Sequence, residues 1–92
     1  MTDKQALIEE LNKIIALANH EIEQKDWQKA SLYAKNGLDT LGERYFNPKV
    51  LDESSLKLVI ADDFERKGLL EKSARLRLRT LEGRLDSFKA NP

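Results

Sequence analysis

An all-α fold is what this sequence predicts: an antiparallel three-helix bundle whose C-terminal helix is long. Three observations lead there. Pro48 and Pro92 are the only prolines. Ile and Val are few beside Leu, Ala, Glu, Lys and Arg, which favours helix over sheet. The apolar residues also recur at spacings of three and four, the period of an amphipathic helix. At 92 residues the chain reads as one domain, 1–92, with helices over about 3–23, 27–46 and 53–89. It contains no cysteine, so neither a disulfide nor a thiolate metal site adds stability, and packing must hold a chain this short together.

The first helix follows from Leu7, Ile8, Leu11, Ile14, Ile15, Ala18 and Ile22, which fall within an arc of about 120° on a helical wheel, the width of a core-facing stripe. Thr2 and Gln5 have the spacing of a capping box. A second stripe runs Trp27, Ala30, Ala34, Leu38, Leu41, Tyr45. In a continuous helix it would be rotated by roughly 140° from the first, so the chain must turn between them. Gln24, Lys25 and Asp26 are the turn candidates, with Asp26 placed to accept from the first free amides of the second helix. Asn47-Pro48 ends that helix, because proline disfavours a helical conformation in the residue before it.

Asp52 or Ser54 can cap a third helix. Leu56, Ile60, Phe64, Leu70, Ala74, Leu78, Leu81, Leu85 and Phe88 keep to one face across Gly68, which predicts a single long helix, interrupted on that face by Lys67 and Glu71. The rival reading is a kink or a break near Lys67-Gly68, since glycine costs about 1 kcal/mol relative to alanine inside a helix. An internal echo at an offset of 43 pairs Ala18 with Ala61, Asn19 with Asp62, Trp27 with Leu70, Lys29 with Lys72 and Leu38 with Leu81. With a broken third helix this would make two helical hairpins, like two short solenoid repeats. Two repeats are usually too few to be stable alone.

Lys plus Arg and Asp plus Glu each number 16, a balance that argues against a dedicated DNA-binding module. No apolar run approaches the ~20 residues that cross a bilayer, and the first residues lack the pattern of a secretory signal, so a cytoplasmic protein is expected. Catalytic chemistry finds no support. His20 and Glu23 share a helix face off the apolar stripe, and Asp62 and Asp63 point about 100° apart. There is no glycine-rich phosphate loop and no nucleophile with a histidine partner. The expectation is a protein that is not an enzyme and carries no cofactor and no metal.

The run Arg75-Leu76-Arg77-Leu78-Arg79, with Lys72 and Arg84 nearby, makes the third helix basic where the first is acidic. Attraction between those two helices explains it most simply, an acidic partner comes next, and nucleic acid last, because the arginines spread around the helix without interleaved aromatics. A second seam, Leu69, Ser73, Leu76, Thr80 and Gly83, lies opposite the core face. Small residues between leucines would admit another helix, with Arg75 and Arg79 flanking it. Leu32 points about 160° from the core direction of the second helix, and Trp27 reads as core or as a plug at the turn. More apolar helical surface than a three-helix core needs implies a protein partner, a helical segment of a client or a second copy of the chain.

Gln24-Lys25-Asp26-Trp27 between two apolar helices, Tyr45-Phe46-Asn47-Pro48 after them, and Leu69-Leu70-Glu71 with Arg77-Leu78-Arg79-Thr80-Leu81-Glu82 in the third resemble the small helical flagellar export chaperones that bind the filament-cap protein. The order matches from about Leu7 to Phe88, with Lys25 standing where that family often has glycine. The resemblance implies a cytoplasmic, non-enzymatic chaperone that holds a helical end of its client for export. It also implies an open client groove, since the extra C-terminal helix that blocks the site in some members has no room after Phe88.

Overall fold

The computed structural model describes residues 2–44 and 48–90, with side chains over 2–42 and 54–90. Among them are four helices and no strand: α1 (Asp3–Glu23), α2 (Trp27–Arg44), α3 (Pro48–Arg66) and α4 (Leu70–Ala90). The expected capping box opens α1: the Gln5 N–H donates to Thr2 Oγ1 at 3.1 Å and the Thr2 N–H to Gln5 Oε1 at 3.3 Å. Asp26 caps α2, accepting from the Lys29 N–H at 3.1 Å. Tyr45, Phe46 and Asn47, with the predicted stop of the second helix, lie outside the described residues. Helix α3 begins at Pro48 rather than near 53, so Asp52 and Ser54 lie within it and neither is its cap.

The long third helix of the sequence reading is two helices. Its break is a Schellman turn: the Gly68 N–H donates to the Glu65 carbonyl at 3.0 Å and the Leu69 N–H to Phe64 at 2.8 Å, with Gly68 at φ +79°. Two orphan carbonyls of α3 are thereby satisfied and the chain reverses. Periodicity hides this because the apolar phase survives the turn.

The α1–α2 junction repeats the same geometry. There the Lys25 N–H donates to Ile22 at 3.0 Å and the Asp26 N–H to Glu21 at 2.9 Å, with Lys25 at φ +60°. Each bond has its counterpart 43 residues on, through the Ala30-to-Asp26 and Ser73-to-Leu69 bonds that open α2 and α4. The weak echo in the sequence thus marks two hairpins, α1–α2 and α3–α4, with Ala18 and Ala61 fully buried at equivalent positions.

The core is built by α1, α2 and α4. Leu7, Leu11, Leu38, Leu41, Leu81 and Leu85 form its main cluster, and Ala18, Ala34 and Leu78 a second. Close approach of α2 and α4 requires Gly37, where an added Cβ would stand 2.5 Å from Leu81 Cδ2. Among the described residues helix α3 packs its backbone on α4 alone. It buries Ala61 and Ser54 and offers Leu58 to the edge of the main cluster. Leu56 and Ile60, expected in the core, are exposed. Once the chain turns at Gly68, α3 has only one neighbour, and these two side chains fall on its far side.

Candidate partner-binding surface

The basic run resolves into three different roles. Arg77, only 1% exposed, is an internal link. Its Nη1 donates to Ser31 Oγ on α2 at 2.5 Å, and its Nη2 to Asp62 Oδ1 on α3 at 2.6 Å. Both nitrogens reach Glu65, at 3.2 and 3.3 Å. The hydrogen bond from Arg77 holds the Glu65 carboxyl below its ordinary pKa against the opposing effect of desolvation. Burial works to lower the Arg77 pKa, but its bonds to Glu65 and Asp62 prevail and raise it. The carboxylates that engage Arg77 therefore belong to α3, not to α1 as charge alone suggests.

Arg75 pairs with Glu71 at 2.9 Å and lies 5.6 Å from the centre of the Trp27 ring. Arg75 and Arg79 line a small groove between α1 and α4 with Asn19 and Glu82.

The predicted seam divides as well. Ser73 and Thr80 are buried, because the turn at Gly68 folds α3 onto that side of α4. Ser73 Oγ donates to the Ala61 carbonyl of α3 at 2.7 Å, and Thr80 Oγ1 to the Leu76 carbonyl at 2.8 Å. Neither is free to meet a partner. Leu76 is half-buried, and Gly83 and Leu69 are exposed. Leu32 is exposed on α2.

Leu69 stands out by its position. Its carbonyl accepts the first bond of α4, from the Ser73 N–H at 3.1 Å, so it occupies the cap position that Asp26 fills in the other hairpin. A leucine there leaves the first amides of α4 without the side-chain acceptor that Asp26 provides to α2. It lines an open cleft of about 470 Å³ with Trp27, Gly68, Leu70, Glu71 and Lys72.

An outer apolar stripe on α3 is not distinguished from a core face by periodicity. Leu56, Val59 and Ile60 are 62, 59 and 41% exposed at positions i, i+3 and i+4. In the first hairpin the equivalent positions hold Lys13, Ala16 and Leu17, so the second is the more apolar there. Phe64, one turn beyond Ile60, joins this stripe to the cleft, with Lys72 Nζ 5.9 Å from its ring centre. Treating the 43-residue echo as structural would expose the contrast.

Among the described residues no group of three or more His, Cys, Asp or Glu side chains is placed to hold a metal ion, and no helix is long and apolar enough to cross a membrane. Comparison with known proteins finds no matching family model, no matching curated protein and no matching solved structure.

Proposed function

We propose that this chain is a non-enzymatic binding module that holds an amphipathic helix of another protein along the outer face of the α3–α4 hairpin. The observation that carries the reading is Leu69, a 41% exposed leucine at a helix cap, beside the indole of Trp27. An aspartate there would stabilise α4 by about 1 kcal/mol. A stability sacrifice of that kind is expected where a side chain serves binding. The client helix would cover Leu69 at the hairpin turn and run over Ile60, Val59 and Leu56, each leucine-sized burial contributing on the order of 1.5–3 kcal/mol before ordering costs.

The resemblance to flagellar export chaperones gives this reading its specific form: a cytoplasmic chaperone or adaptor whose client is the helical end of the filament-cap protein. Titration calorimetry of the full chain with that protein tests it together with Leu69→Asp. The variant should unfold at higher temperature yet bind at least about tenfold more weakly, a loss of about 1.4 kcal/mol. Undiminished binding by the variant would remove Leu69 from the site.

The repeat of turn geometry every 43 residues favours a second reading, a two-repeat interaction protein or homodimer in which another copy covers the same face. Sedimentation equilibrium separates them: a monomer at micromolar concentration supports the client reading, a tight dimer the second.

A further inference from the structure

We infer that the helix docked on this face is an acidic one, carrying carboxylates along both edges of its apolar stripe. The inference rests on the docking reading above and adds the partner's charge.

The apolar stripe of α3 is bordered by cations on each side. Helical register puts Arg66 along the Val59 edge and Lys57 along the Ile60 and Phe64 edge, with Lys67 near the C-terminal end. Lys72 of α4 joins the second edge, over the Phe64 ring. Lys57 and Lys72 form no ion pair among the described residues. Arg66 and Lys67 share one carboxylate, Asp63, at 3.6 and 2.8 Å. Asp62 and Glu65 point the other way, toward Arg77. Among the described side chains, four cations thus border three exposed apolar residues, with Asp63 among them and Glu71, engaged by Arg75, beside Lys72. The chain as a whole is neutral, so this is a local imbalance, and acidic flanks on the partner would complement it.

A cationic, apolar surface also suits an anionic bilayer. The geometry favours a helix. The stripe is one helix face wide and two turns long, the shape that the apolar face of a single amphipathic helix covers. Three side chains give a bilayer far less apolar area than an interfacial helix of about 20–30 residues supplies.

The test uses the full chain and two synthetic helical peptides of about twenty residues with the same leucine stripe, one flanked by Glu and one by Lys. Fluorescence anisotropy should show the Glu peptide binding about tenfold more tightly at low salt, with the gap narrowing as salt rises. The double variant Lys57→Glu, Lys72→Glu should reverse the preference while its helical circular dichroism is unchanged. Equal affinity for both peptides overturns the charge assignment and leaves the docking reading standing. No binding of either peptide overturns both. Tighter binding to phosphatidylserine-containing vesicles than to the Glu peptide overturns the choice of a helix.

Discussion

Arg77 Nη2 lies 2.6 Å from Asp62 Oδ1, and through this pair the outermost helix, α3, is tied to the centre of the molecule. The same guanidinium reaches Ser31 on α2, so one side chain spans three helices. Replacing Arg77 with Met keeps much of the buried stem but leaves Ser31 Oγ without its donor and the carboxylates without their cation. Asp62 and Glu65 are 59 and 44% exposed and would regain water. The cost should therefore fall below the roughly 3–5 kcal/mol of a fully buried broken pair, at about 1–2 kcal/mol. Urea unfolding measures it. Arg77→Lys should recover only part, since an ammonium cannot serve three acceptors in the fork geometry of arginine.

Acidification should weaken the same link. The folded-state pKa of Glu65 is depressed, so its contribution is fully present above the ordinary value of 4.5 and is lost as pH falls through the lower, folded-state value. The Asp63 carboxyl is likewise held low, chiefly by its hydrogen bond from Lys67, and adds in the same direction. The urea midpoint should decline as pH drops from about 6 to about 3, and Glu65→Gln should flatten that decline. An unchanged slope in the variant would place the acid sensitivity elsewhere.

How legible the molecule is depends on which signal one follows. The first helix is readable to its ends, because Thr2 and Gln5 cap it and its apolar stripe has a single phase. Trp27 is identifiable as the start of α2 for a similar reason, since the change of stripe demands a turn and Asp26 supplies the cap. The break at Gly68 ranks only second in the sequence, because Phe64 and Leu70 keep the same phase on either side of it. Periodicity reports which face is apolar, and it does not report whether a neighbour covers that face. For that reason the pattern sends Leu56 and Ile60 to the core, and Ser73 and Thr80, polar but covered by α3, to the surface. Arg77 is hidden among four other basic residues of similar spacing, and only the fold singles it out.

The two equivalent turns predict opposite effects of exchanging glycine. Lys25 holds φ +60°, where an L side chain costs roughly 1–2 kcal/mol, so Lys25→Gly should raise stability by a net of about 1 kcal/mol after glycine's greater chain entropy is counted. Gly68 holds φ +79°, and a methyl group added there would meet no atom within 4 Å, so Gly68→Ala should lose about 1 kcal/mol from backbone strain alone. Thermal unfolding of both variants tests the pair, and like signs would contradict the shared geometry.

Gly37 and Gly42 make a second contrast, within one helix. Alanine at 37 would press its Cβ against both Leu81 methyls, at 2.5 and 3.1 Å, and against Ile14 Cγ2 at 3.3 Å in a closed core. Overpacking of about 1–3 kcal/mol outweighs or cancels the gain in helix propensity. At Gly42 nothing lies within 4 Å among the described residues, so alanine there should stabilise by about 0.5–1 kcal/mol. Thermal melts of the two variants should therefore shift apart.

Helix α3 should open before the rest of the molecule unfolds. Among the described residues its backbone packs on one neighbour and it makes none of the fully buried leucine contacts that join α1, α2 and α4. What holds it is Ala61 against α4, the Ser73-to-Ala61 bond, Leu58 at the core edge, and the carboxylate links to Arg77 and Lys35. Sub-global opening follows from such an imbalance, because the free energy needed to expose a segment scales with what it buries. Native-state hydrogen exchange across a urea series should show the amides of residues 54–66 exchanging through a smaller opening, with a shallower urea dependence, than those of Leu78 to Leu85. The double variant Asp62→Asn, Glu65→Gln should speed exchange in α3 alone. If all four helices instead share one opening free energy and one urea slope, the α3–α4 hairpin is fully cooperative with the core, and the links through Arg77 join parts that never separate.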